Sequence, residues 1–388
     1  MKIQDICTVF TDGDWIESKD QSDEGIRLVQ TGNIGEGKYL EKESRAKYVS
    51  EETFERLKCT EIFPGDILVS RLPEPVGRAC IIPNKDERMI TAVDCTICRP
   101  DERRILKEYL CYFMQSNTYY ARLLGNVTGT TRKRISRKNL GNVELNVSSI
   151  EVQREIVNRL DRLVCVIESR KKELQLLDEL IKARFVELFG DAINNDKGWK
   201  TDTVSNLCQR IYGGGTPLKS HPEYYEDGDI PWVSSKDMKT DVLNDSQIKI
   251  NQLGVDNSTA KIVPVNSVVM VIRSGILKHT LPIAINKVPI TVNQDLKVFV
   301  PGERILARFL ATQFKMHEKD ILTSVRAVTA DNIEFNLIKQ RKLIVPPIEL
   351  QQEYVTFLEQ VDKSKVAVQQ ALDEAQLLFD SLMQEYFG

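Results

Sequence analysis

The sequence predicts an α+β chain built as a tandem repeat. Two mixed α/β domains are each followed by a long amphipathic helix, and the helices pair as an antiparallel coiled coil about a pseudo-two-fold axis. Two observations predict this. Shifted by 198 residues, Ile150–Gly190 falls on Ile348–Gly388 without a gap, and eleven of the 41 positions are identical. Both copies also carry apolar residues at a mean spacing of 3.5, the period of a helical seam. At 388 residues, 41% hydrophobic and 28% charged, the chain has room for two or three domains with cores of their own.

The identities include Ile150/Ile348, Glu151/Glu349, Gln153/Gln351, Glu155/Glu353, Leu174/Leu372, Glu187/Glu385 and the closing Phe189-Gly190/Phe387-Gly388. Upstream the match weakens: Ile62-x-Pro64 pairs with Ile262-x-Pro264, Thr91 with Thr291, and Ile105-Leu106 with Ile305-Leu306. The expected boundaries are a domain over 1–150, a helix over 151–190, a second domain over 191–346 and a second helix over 347–388. One scaffold thus carries two different payloads.

In the first domain, strands are expected at Gly25–Gln30, Ile67–Ser70, Arg78–Ile82 and Ile90–Cys98. In the second they are expected at Ile230–Ser234, Ser267–Ile272, Pro282–Asn286 and Leu296–Val300. Each is short, rich in β-branched residues and bounded by Pro, Gly, Asn or Asp. One helix follows the strands in each domain, near Arg104–Leu123 and Arg304–Lys319. The first long helix presents a seam of Ile156, Leu160, Leu163, Ile167, Leu174, Leu177, Ile181 and Leu188. The second presents Tyr354, Leu358, Val361, Val368, Leu372, Phe379 and Leu382. Neither holds Gly or Pro between its ends, and Gly190 and Gly388 stand where a helix stops. The alternative is two amphipathic helices lying on separate cores; matched length and phase favour pairing. Some 36 residues make a rod of about 54 Å. Antiparallel pairing would place the domains at its opposite ends.

Composition excludes several classes. No apolar run reaches the roughly 18 residues of a membrane span, and the first residues lack a signal-like apolar run, so a cytoplasmic, non-membrane protein is expected. Eight cysteines form no framework. Cys95-x-x-Cys98 has no second pair, and His221, His279 and His317 lie far away, so reduced thiols are expected rather than a zinc site. Net charge is −3, but residues 349–388 alone carry eight acids against two bases, while 151–190 balance at eight of each; the remainder is +3. Local basic patches are therefore compatible with the total.

Several motifs, in order and twice over, resemble the specificity subunits of type I restriction–modification systems. Arg27-Leu28-Val29-Gln30-Thr31-Gly32-Asn33-Ile34 is similar to a segment of that family's recognition domains, as is Gly213-Gly214-Gly215-Thr216-Pro217 after Leu207-Cys208. Pro346-Pro347-Ile348-Glu349-Leu350-Gln351-Gln352 resembles the family's lead-in to its long helix. The resemblance spans essentially the whole chain. It departs at Ser148-Ser149, where the second copy has Pro346-Pro347, and at Val152 and Leu350, where the family often has Glu. The resemblance implies two target recognition domains, each reading one half of a bipartite site in double-stranded DNA. It implies helices that space the halves and dock two modification methyltransferase subunits, through which restriction subunits join. It implies no cofactor or catalytic residue in this chain, since S-adenosylmethionine and ATP–Mg²⁺ are used by the partners.

Phosphates are held by Lys, Arg and backbone N–H groups, whereas bases are distinguished at groove edges. The strongest phosphate candidate is the stretch from Gly129 to Lys138, with Arg132, Lys133, Arg134, Arg137 and Lys138 and no acid. Its alternative is a solvated basic loop. The matching place in the second domain offers only Arg326, so its contacts are expected from Ser234, Ser235, Lys236, Arg273 and Lys278. Arg71 and Arg273 each end a strand before a loop. Arg suits guanine and Asn or Gln suits adenine, so Gln30, Asn33, Arg71, Arg78 and Arg273, with Thr31 beside them, are candidate base readers or else surface and structural residues. Gly213–Gly215 is either a phosphate cradle or a tight turn.

Enzyme motifs fail. The one Pro-Pro lacks the Asp/Asn and aromatic flanks of an amino-methyltransferase loop. Gly32–Gly37-Lys38 approaches a phosphate-binding loop, but Tyr39 replaces the hydroxyl residue that would hold Mg²⁺. Asp23 with Glu36-Gly37-Lys38 faintly suggests a nuclease. The competing functions are thus a self-sufficient DNA-processing enzyme and a coiled-coil scaffold that binds only proteins.

Overall fold

A computed structural model describes residues 1–125, 133–323 and 331–388, together with the backbone of Arg326 and Ala327; Asp331 is described by its backbone alone. The chain divides into two compact units, Met1–Lys172 with Val368–Gly388, and Glu173–Ala367. The division cuts both long helices, so each unit holds a domain, the part of one helix that leaves it and a part of the other.

The first unit contains a four-stranded antiparallel sheet in the order Cys7–Asp12, Cys95–Pro100, Ile67–Ser70, Ala79–Ile81. A smaller sheet runs Tyr48–Val49, Ile26–Val29, Met89–Thr91, Glu61–Ile62, with its two central strands parallel. The second unit repeats the plan. Its larger sheet runs Cys208–Gly213, Leu296–Pro301, Val268–Val271, Ile283–Asn286, Val242–Leu243, and its smaller sheet Lys249–Ile250, Ile230–Val233, Thr291–Val292. Central strands such as Ile67–Ser70 and Val268–Val271 are buried along their whole length, which is why they read as continuous apolar runs.

The opening strands Cys7–Asp12 and Cys208–Gly213 were not expected from the sequence. Both lie at sheet edges and are half-buried to exposed over most of their length, without clear alternation. They carry the repeat all the same. Cys7 faces Pro100 and Cys208 faces Pro301, each followed by a bulge, and Asp12 faces Thr96 as Gly213 faces Lys297. The sheets therefore repeat at 201 residues. Ile62 corresponds to Val263 by pairing, since they face Met89 and Ile290, so the expected match with Ile262 is one residue off. The expected strand Ile90–Cys98 is two strands, broken by a turn in which Cys95 N donates to Ala92 O at 2.9 Å. The expected helix Arg104–Leu123 is Lys107–Phe113 and Asn117–Leu124, broken where Ser116 Oγ caps Tyr119 N.

Both long helices are continuous over forty residues, Ile150–Phe189 and Ile348–Phe387. Gly190 ends the first with a left-handed φ of +73°, a conformation that favours glycine. All fifteen expected seam residues are buried or half-buried. In the second unit the helices run antiparallel: Arg184 pairs with Glu353 at 2.7 Å, Tyr354 Oη donates to Ile181 O at 3.3 Å, and Lys365 pairs with Asp178. The rings of Phe185, Phe189, Tyr354 and Phe309 pack against one another there. In the first unit Val157 and Leu160 join Met383 and Phe387 in one core with the preceding domain, and Arg159 donates to Tyr386 Oη at 3.1 Å.

Each helix is tied to its own domain by one buried glutamine. Gln153 Oε1 accepts from Leu106 N at 2.9 Å, and its Nε2 donates to Arg104 O at 3.0 Å and Ser148 O at 2.9 Å. Gln351 repeats the set with Leu306 N at 3.0 Å, Arg304 O at 3.0 Å and Pro346 O at 2.9 Å. Both side chains are fully buried. Gln153→Leu or Gln351→Leu strands one N–H and two carbonyls, and each is expected to cost about 3 kcal/mol, read by chemical denaturation. A loss under about 0.5 kcal/mol would show the amide to be dispensable.

Candidate nucleic-acid interface

Around the end of strand Cys7–Asp12 the first unit collects arginines. Asp12 Oδ2 lies 3.3 Å from Arg71 Nη2 and 3.8 Å from Arg137 Nη1, and its other oxygen accepts from Thr96 Oγ1 at 2.9 Å. Asp94, in the turn before strand Cys95–Pro100, pairs with Arg134 at 2.8 Å. Arg137 and Lys138 open the short helix Arg137–Gly141, where Ser136 Oγ caps Asn139 N at 3.1 Å; both are exposed, as is Lys133. Arg137, Lys138, Gln4, Asp5, Phe10 and Asp12 line an open cavity of about 570 Å³. Arg132 lies outside the described residues.

Three candidate readers turn inward instead. Arg71 is buried and donates to Val93 O as well as facing Asp12. Arg78 is buried and donates to four carbonyls: Ile34 at 2.7 Å, Thr31 at 2.8 Å, Leu72 at 2.9 Å and Pro75 at 3.1 Å. Asn33, also buried, accepts from Gln30 N and donates to Leu40 O, both at 3.0 Å. Arg78 and Asn33 shape the turn that presents Gln30, which is exposed, and Thr31, which is half-buried.

In the second unit Arg273 is exposed and holds Asp295 Oδ1 through Nε at 2.6 Å and Nη2 at 2.5 Å. Its likeness to Arg71 is corrected by the register. Arg71 N donates to Asp94 O and Ile272 N to Asp295 O, so Ile272 is the equivalent of Arg71. One residue along an extended chain reverses the side chain's direction, and Arg273 points out where Arg71 points in. Ser234 Oγ donates to Asp237 at 2.8 Å, Ser235 is half-buried, and Lys236 and Lys278 are exposed. The side chain of Arg326 lies outside the described residues. The glycine run is a packing device: a Cβ on Gly214 would collide with Val292 O and Asn293 O, and Gly215 N donates to Val292 O at 2.9 Å. Gly13 meets Thr91 O and Ala92 O in the same way in the first unit.

Lys297 and Lys339, which no sequence motif singles out, lie 5.0 and 4.9 Å from the centre of the Phe335 ring. They are 42 residues apart and only folding brings them together. The faint nuclease motif is not assembled, because Lys38 pairs with Glu168 at 2.6 Å and Glu36 accepts from Tyr120 Oη at 3.3 Å. Cys95 is a core residue whose thiol burial pushes up to about 12.

The family model for the type I restriction modification DNA specificity domain matches this chain twice, over residues 1–179 and 196–375. The chain belongs to that family. It is 33% identical over 220 residues to the EcoR124I/EcoR124II type I restriction enzyme specificity subunit of Escherichia coli, covering 55% of this chain and 52% of that protein. The match therefore spans about half the length of that relative. It is 20% identical over 443 residues to the HindI specificity subunit of Haemophilus influenzae, covering 92% of this chain and 93% of that one. The crystal structure of the type I restriction–modification S subunit from M. genitalium superposes with a TM-score of 0.60 at 15% identity, over 100% of this chain and 95% of that one, and shows the shared fold. In this specificity-domain chain Arg78→Ala is expected to lower stability by about 3 kcal/mol through stranded carbonyls. Arg137→Ala is expected to leave stability within about 0.5 kcal/mol while weakening binding to duplex DNA. Melting curves and a mobility shift on both variants check the contrast; equal destabilisation would contradict it.

Proposed function

We propose that the chain is the non-catalytic DNA specificity subunit of a type I restriction–modification complex. Each recognition domain reads one half of a bipartite site in double-stranded DNA. The long helices join the readers, set the spacing of the halves and dock two modification methyltransferase subunits, and restriction subunits join through these. The observation that carries this is the duplication itself. The same sheet register and the same buried glutamine recur in both units, while the side chains around the equivalent strand ends differ in charge. A repeated frame with unlike readers suits two unlike half-sites; the exposed Arg137 and Lys138 suit backbone positioning, and the exposed Gln30 suits base readout.

Exchanging residues 1–150 for the first domain of another family member is expected to change one half of the methylated sequence and leave the other intact. Mapping methylated bases in cells that carry the hybrid with its methyltransferase decides this. A change in both halves would contradict separate readers.

A further inference from the structure

We propose that Lys297 and Lys339, seated on the Phe335 ring beside Arg273, form a DNA-phosphate site of the second unit that the first unit lacks. This rests on the DNA-reading role argued above and adds the residues and the kind of contact.

Lys297 faces Gly213 across the strand pair, as Thr96 faces Asp12 in the first unit. Ile135 N donates to Arg71 O and Ile333 N to Ile272 O, so the short helices Arg137–Gly141 and Phe335–Gln340 are equivalent. Phe335 then stands at the place of Arg137 and Lys339 at the place of Gly141. In the first unit the Asp12 carboxylate neutralises its arginine neighbours. In the second that carboxylate is replaced by Gly213, and among the described residues neither lysine forms an ion pair. The cations instead rest on the ring, and Phe335 packs edge-on against Phe299 of the sheet, 6.2 Å between centres. All three side chains are half-buried. Burial, reinforced by the charges of Lys339 and Arg273, pulls the Lys297 ammonium below its usual range. Asp295 is taken up by Arg273, so the two half-buried lysines are left as a site for an anion, and for a chain that reads DNA the anion at hand is a backbone phosphate.

The test uses the full chain with its methyltransferase subunits and a mixed-sequence duplex, titrated with salt. Each phosphate contact contributes about 0.9 to the slope of log affinity against log salt, so the Lys297→Gln/Lys339→Gln double variant is expected to lose roughly 1.8 from it. The single variant Lys339→Gln is expected to lose about half as much. Gly213→Asp restores the first unit's carboxylate, its Cβ pushing the flexible end of Lys297 aside, and is expected to lower affinity as well. Lys342→Gln, on the exposed start of strand Lys342–Ile344, removes a like charge outside both the long helices and the site, and is expected to leave the slope unchanged. Wild-type slopes in the double variant and in Gly213→Asp, with wild-type binding intact, would overturn the phosphate site alone. Absence of binding by the wild-type complex would overturn the DNA-reading role with it.

Discussion

The fold depends on an amide buried twice. Gln153 and Gln351 each join three segments of backbone: the one before a domain helix, the last turn of the domain and the first turn of a long helix. A buried amide with three good partners is directional, and leaving those partners unpaired is costly. The geometry of each helix relative to its own domain is therefore held by hydrogen bonds, while the ring clusters at Phe185–Tyr354 and Tyr109–Phe387 supply the apolar burial that makes the contact stable. A reader carried on such a joint keeps its orientation while its surface side chains vary.

Above that joint the two units separate frame from payload. Gly13 and Gly214 press against the same carbonyls of their respective neighbours, and the edge strands bulge at the same place. Around these fixed points the chemistry diverges. The first unit sets three arginines against Asp12 and Asp94, and the second sets two lysines on an aromatic ring with Arg273 held by Asp295. Salt-bridged arginines present fixed donor forks, whereas ring-seated ammonium groups are compact point charges. Under the proposed function, two such surfaces favour different neighbours on a duplex.

Much of this was legible in the sequence because the long helices carry period and identity together. The seam from Ile156 to Leu188 and from Tyr354 to Leu382 needed no tertiary context, and the buried core strands read as apolar runs. What stayed hidden has physical causes. The edge strands Cys7–Asp12 and Cys208–Gly213 are half-buried and mixed in polarity, so neither period stands out. The identity of Gln153 with Gln351 was visible, but its partners are main-chain atoms that leave no signature. Arg71, Asn33 and Arg78 looked like readers because residue type says nothing about direction, and one residue of register separates inward Arg71 from outward Arg273. Lys297 and Lys339 form a pair only after folding.

The most direct measurement is base-resolution mapping of DNA methylation in a host given this chain with its methyltransferase, against a host given the methyltransferase alone. Two short sequence blocks separated by a fixed, unread gap, appearing only when this chain is present, is the expected result. A single uninterrupted motif, or an unchanged pattern without this chain, would contradict two readers on one duplicated frame.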